Sequence, residues 1–250
     1  MQKPSEKVVE EYPMRINKYL AHEGIATRRG ADELIARGKV LINGRVATLG
    51  ERVNKGDKVE LRGKSSSKKF LYYAYNKPSG VITHSPQQGE KDIKQSSRSV
   101  TSEGKQLPSD VFPVGRLDKN SSGLIILTND GRVTDRLLNP EYDHDKEYRV
   151  RVSEPLRESF KKTMEAGVNI EGYLTAPCTI RKTGPKSFNI TLTEGKKHQI
   201  RRMVSAMHNT VVELERVRIL NVRLDNLASG TWHAIEGDEL TTFLAQIGMK

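Results

Sequence analysis

"PVGRLDKNSSGLIILTND", residues 113–130, holds the reading on which the rest of the chain turns. Its second half, "GLIILTND", reads as a buried strand closed by Asp130-Gly131. Its first half is a polar turn in which Asp118 follows Arg116 by two residues, with no second carboxylate and no cysteine close by. Asp118 is therefore either a turn residue with a neighbouring charge or a carboxylate that acts largely alone on a substrate held by other groups.

Outward from this stretch, strands and short helices follow one another, and few strand pairs are separated by a regular crossover helix. "LYYAYNKPSGVITH" reads as a strand, a Lys-Pro-x-Gly turn and another strand. "RVTDRLLNP" is a short helix that ends before Pro140, and "KEYRVRVSEP" alternates as a strand should. "SFKKTMEAGV" is helical; "CTIRKTGPKSFNITL" gives two strands joined by a Gly-Pro turn; "HQIRRMVSAM" is a basic helix; "VVELERVRILNVRL" is strand-rich. These features predict an α+β domain with a mixed, mostly antiparallel sheet. The serine-rich residues 89–110 show no periodicity and are expected to be a mobile loop beside a site.

Upstream, "RGKSSSKKF" at 62–70 is rich in serine and lysine and marks a break. The expected boundaries are a small unit at 13–62, a linker at 63–69 and a larger unit at 70–250. In the small unit, Ile16, Tyr19 and Leu20 recur at helical spacing, and Gly24 ends that helix. Thr27 caps a second helix with an apolar stripe of Ala31, Leu34 and Ile35, ended by Gly38. "KVLING" is a strand entering an Asn43-Gly44 turn, and "DKVEL" is a further short strand.

The chain has 250 residues, 35% hydrophobic and 29% charged, with a formal net charge of +11 and a pI near 9.6. Such a basic balance favours a polyanionic partner. Residues 1–69 carry sixteen Lys and Arg against nine Asp and Glu, so much of the excess sits in the small unit. Arg15, Lys18, Arg28, Arg29, Lys39 and Arg45 fall at helix starts and around the strand, where they suit a phosphate backbone better than a merely solvated face. No apolar stretch approaches the roughly 20 residues that span a bilayer, and the first residues lack an apolar signal region, so a cytoplasmic protein is expected. Cys178 is the single cysteine, which excludes an intramolecular disulfide and a cysteine metal cluster. His144, His198, His208 and His233 show no i,i+4 pairing, so no metal is expected.

The small unit, through "RINKYLA", "GIATRRGADELIARGKVLINGR" and "GDKVEL", resembles the S4 RNA-binding domain over about residues 14–61. Residues 70–240, through "NKPSGV", "GRLD" followed by "SGL", "KEY", "HQIRRM" and "LERVRILNVRL" in that order, resemble the RsuA/RluB/RluF-type family of rRNA pseudouridine synthases. Within that family the resemblance is strongest to the large-subunit members, which act on 23S rRNA. A 16S rRNA or tRNA enzyme, and a non-catalytic S4-type assembly factor, are the alternatives.

The resemblance implies a reaction in which the N1–C1′ bond of a uridine breaks, the base turns, and C5 is joined to C1′ with no cofactor. It implies that Asp118 is the single essential carboxylate. Which carbon or proton the carboxylate takes is left open, though every route needs it ionised and close to a flipped nucleotide. Burial would disfavour the ionised form and an arginine would oppose that. Spacing alone does not separate Arg201, Arg202 and Arg116 for this task, but the resemblance points to Arg201. Arg116 is then expected to hold the flipped nucleotide, Tyr148 to stack on its base, and Ile200 and Leu117 to pack against base or sugar. Asn17 and Asn43, with Lys197 and Arg202, join the basic residues above as expected RNA contacts. A monomer is expected.

Overall fold

Alternating polar and apolar residues, and short connections between many neighbouring strands, give the described strands of this protein mainly antiparallel partners. The structure is a computed structural model that describes residues 12–23, 25–26, 28–62, 69–83, 92–93, 106–139 and 142–249. Chain contacts divide it into a first unit, 1–70 with 130–132, and a second unit, 71–129 with 133–250. The serines at 65–67, Gly24, Thr27 and most of 89–110 lie outside the described residues. Among the described residues, no helix is long and apolar enough to cross a membrane.

The first unit runs β1 (Met14–Arg15), α1 (Ile16–His22), α2 (Arg28–Ala36), β2 (Val40–Ile42), β3 (Arg45–Val46), β4 (Arg52–Val53) and β5 (Val59–Leu61). The apolar stripes of the two helices meet the strands in one small core of Ile16, Leu20, Ala31, Ile35, Val40, Ile42 and Val53. β2 is the centre of an antiparallel sheet in the order β3-β2-β5. Asn43 (φ 51°) and Gly44 (φ 80°) both take the left-handed conformation that a two-residue hairpin turn needs, and so pair Ile42 with Arg45.

The second unit carries β6 (Tyr72–Lys77), β7 (Phe112–Val114), β8 (Ser122–Thr128), α3 (Arg132–Leu138), β9 (Lys146–Val152), α4 (Phe160–Glu165), β10 (Asn169–Ile170) and β11 (Tyr173–Leu174). β12 (Thr179–Gly184), β13 (Ser187–Leu192), α5 (Gln199–Ala206), β14 (Val211–Ile219), β15 (Val222–Arg223), β16 (Trp232–Ala234) and α6 (Gly237–Gln246) follow among its described residues. The main sheet has the order β12-β13-β9-β14-β8-β6-β16, with β15 on β14 and β7 on β8. Val150, Val152, Phe188 and Ile190 of the sheet pack with Ile200, Met203 and Val204 of α5 and with Phe160 and Met164 of α4. Among the described residues, the second strand expected in "GVITH" is represented by one bridge, Ile82 to Asp92. The C-terminal α6 was not apparent in the sequence reading.

One pairing in this sheet is parallel: β14 on β8, with Glu215 opposite Ser122 and Arg216 opposite Gly123. The register leaves no room for a side chain at 123. A Cβ there would lie 2.3 Å from Arg216 O, and the residue has φ +101°. Gly123→Ala is expected to destabilise the protein by about 3 kcal/mol, whereas Gly195→Ala, with open space around it, should stay within about 0.5 kcal/mol. Guanidinium unfolding of both variants checks this; equal midpoints would show that the strands do not approach so closely.

Candidate active site

Asp118 occupies the turn that leads into β8. The turn is closed by Ser121 N donating to Asp118 O at 3.0 Å. Leu117, just before it, is buried and doubly bonded to Thr83, whose hydroxyl donates to Leu117 O at 2.8 Å and accepts from Leu117 N at 3.1 Å. The carboxylate itself is 40% exposed, so the groups around the turn are fixed while the acid remains reachable.

Lys77, at the end of β6, is fully buried beneath this turn. Its ammonium donates to Pro78 O and Val81 O, both at 2.8 Å, and to Lys119 O at 3.5 Å. Gly80 N adds a bond to Lys119 O at 2.7 Å. The "NKPSG" turn and the Asp118 turn are thus stitched together by one cation and one amide. Burial pulls the Lys77 ammonium down to about 8, while the negative charge of Asp118 opposes the shift and Arg216 reinforces it. Lys146 is likewise pulled down to about 8, first by burial and then by Arg216.

α5 supplies the other wall. Arg201 reaches Asn120 O at 2.9 Å, Ser121 Oγ at 3.5 Å and Val211 O at 3.2 Å. It therefore ties the start of β8 to the start of β14. The expected Arg201–Asp118 pairing takes a different form here: the guanidinium grips the main chain of the turn, because the carbonyls at 120 and 211 converge on it. Among the described residues, the basic side chain within reach of the carboxylate is His198, with Nε2 at 3.4 Å from Asp118 Oδ1. Arg202, a helical step further round, turns to Glu171 (2.7 Å) and Ile170 O (3.2 Å). Lys197 is exposed.

Arg116 is exposed, and among the described residues no hydrogen bond or ion pair engages it. Tyr148, half-buried on β9, sits opposite Arg216 of β14, which in turn sits opposite Gly123 of β8. The three strands therefore carry Tyr148, Arg216 and Gly123 in one row. Ile200 is 5% exposed and belongs to the core under α5, which leaves little of its side chain for a substrate. Sequence reasoning gives Lys77 no role and weighs His198 only as a metal ligand, although both lie inside quoted motifs. A lysine at the end of a tyrosine-rich strand and a histidine just before a basic helix were the available signals.

In the first unit, Arg15, Lys18, Arg28, Lys39 and Arg45 are exposed, and the side chain of Arg29 lies outside the described residues. Arg15 and Lys18 line an open depression of ≈ 490 Å³ with Arg52, Tyr12, Pro13 and Met14. Arg45 pairs with Glu51. The amide nitrogens of Asn17 and Asn43 are committed internally. Asn17 donates to Asp32 at 2.9 Å; Asn43 donates to Asp57 at 2.9 Å and accepts from Lys58 N at 2.9 Å. Each holds the unit's own frame.

Because Lys77 and Lys146 sit near 8 when folded, against 10.5 for a free lysine, the unfolded chain holds more protons between those values. Stability is therefore expected to rise from about pH 8 to about pH 9.5, below the phenol titrations. Lys77→Met should reduce the slope of that rise, read as denaturation midpoint against pH. An unchanged slope would mean that Lys77 is not held against its charge.

Comparison with known proteins places these features. Residues 71–206 match the model of the RNA pseudouridylate synthase family, and residues 14–59 match that of the S4 domain. The chain is 40% identical over 236 residues to the dual-specificity RNA pseudouridine synthase RluF of Escherichia coli K12, covering 91% of this chain and 77% of that one. It is 37% identical to the ribosomal large subunit pseudouridine synthase B of Bacillus subtilis, over 86% of this chain and 89% of that one. A crystal structure of a pseudouridylate synthase superposes with a TM-score of 0.66 at 26% identity, covering 92% of this chain and 99% of that one.

Proposed function

The chain belongs to the RNA pseudouridylate synthase family, and from that premise we propose that it isomerises a specific uridine of 23S rRNA through Asp118. The enzyme class is that of the family: an RNA pseudouridine synthase preceded by an S4 domain. The large-subunit substrate is our reading, supported by the likeness to RluF and to the large-subunit synthase B. The same reading has it act as a monomer in the cytoplasm.

The observation that carries the catalytic assignment is the setting of Asp118. It is a half-exposed carboxylate on a turn braced from below by buried Lys77 and from the side by Arg201, with His198 at 3.4 Å. Every chemical route requires that carboxylate in its ionised form and within reach of the substrate. In this reading Arg201 acts on the carboxylate through the turn it grips. Arg116, exposed two residues away, is free to engage a backbone phosphate or the displaced base. Tyr148 offers an aromatic face to a flipped base. Exposed Arg15, Lys18, Arg28 and Lys39 give the S4 unit its contacts to the RNA backbone.

The test uses rRNA and tRNA from a strain lacking the protein, treated with carbodiimide and mapped by reverse-transcription stops. The wild-type enzyme is expected to restore one stop in 23S rRNA. Asp118→Asn should restore none while binding the same RNA within about twofold. A restored site in 16S rRNA or tRNA alone would overturn the substrate, and restoration by the Asn variant would overturn the role of Asp118.

A further inference from the structure

His198 has φ 52° and ψ 28°, in the left-handed region that disfavours any residue with a Cβ. Its neighbours hold it there. Gln199 N donates to Lys196 O at 3.1 Å, and Lys196 N donates back to the Gln199 side chain at 2.9 Å. Glu194 accepts from Ala176 N at 3.0 Å and from the Gln199 amide, and Arg202 N donates to His198 O at 3.0 Å. The turn is locked before α5 begins. A glycine would adopt this conformation without strain. The histidine adopts it with strain, and its ring ends on Asp118.

The rest of the site fixes the main chain and leaves the carboxylate itself to be aimed. Arg201 bonds Asn120 O, Lys77 bonds Lys119 O, and Thr83 bonds Leu117. None of these fixes the rotation of the Asp118 carboxyl group, a torsion that is intrinsically broad. We infer that His198 is a positioning residue for the isomerisation, its imidazole holding the Asp118 carboxylate in one orientation before RNA arrives. The inference rests on Asp118 being the reacting carboxylate. Lys77 lies behind the same group, and Arg116, Lys119 and Lys197 are exposed around it. His198 is the side chain among them that stands within ion-pair distance of the oxygen.

A positioning role and a structural role move in opposite directions on His198→Gly. Glycine relieves the left-handed strain, so the melting temperature should hold or rise. RNA affinity should stay within about twofold, while the single-turnover rate at saturating RNA falls roughly fivefold, the upper end for a half-exposed pair. His198→Gln, which keeps a donor, should recover part of the rate. In the free protein, Asp118→Asn should move the ring-nitrogen resonances of His198, assigned by their loss in His198→Gly. An unchanged rate in His198→Gly, or a rate that falls only in step with the melting temperature, overturns the inference. So does a ring signal indifferent to Asp118→Asn. Full turnover by Asp118→Asn instead removes the reading of Asp118, and the ring signal tells the two failures apart.

Discussion

The contact of Gly123 with the backbone of Arg216 is the constraint on which the site depends. It seats β14 against β8 in the same direction, so the starts of both strands lie at one end of the sheet. The turn bearing Asp118 leads into β8, and α5, bearing Arg201, precedes β14. One backbone approach thus brings together two segments far apart in sequence. Arg201 then spans the gap by bonding carbonyls that belong to both. Arg216 locks the same seam from within, its Nε donating to Leu124 O at 2.7 Å.

The electrostatics follow from that geometry. A buried arginine at the seam and a buried lysine at the end of β6 place cationic charge under a turn that carries a half-exposed acid. Burial of cations is costly unless their donors are satisfied. Lys77 meets that condition with three carbonyls, two of them at its own turn. The same bonds that make its burial tolerable hold the Asp118 turn in place. Structure and charge are therefore not separable here: loosening the turn also moves the cation relative to the carboxylate.

Much of this was legible in the sequence, where the signal was local. The alternation of "KEYRVRV" and "SFNITL", the Asn43-Gly44 turn and the stripe of Ile16 and Leu20 each specify their element by short-range chemistry. The turn bearing Asp118 and the strand after it were readable for the same reason. The parallel pairing of β8 with β14 was not, because nothing in either strand announces a partner about ninety residues away. Nor could spacing assign the arginines of "HQIRRM". Adjacent residues on a helix diverge by roughly 100°, and only the packed helix shows that Arg201 faces the turn while Arg202 faces Glu171. Lys77 escaped notice because its charge suggested a surface turn, whereas its position continues a strand buried on both faces.

The central claim is that a single carboxylate, held on a turn fixed by its neighbours, meets a uridine removed from its stack. The most direct measurement is a crystal structure of the Asp118→Asn protein bound to an RNA stem-loop containing the modified site. The account predicts the target nucleotide flipped out, its sugar carbons within about 4 Å of residue 118 and its base against Tyr148. A target uridine still stacked in the RNA, or lodged away from the turn at 115–121, would contradict it.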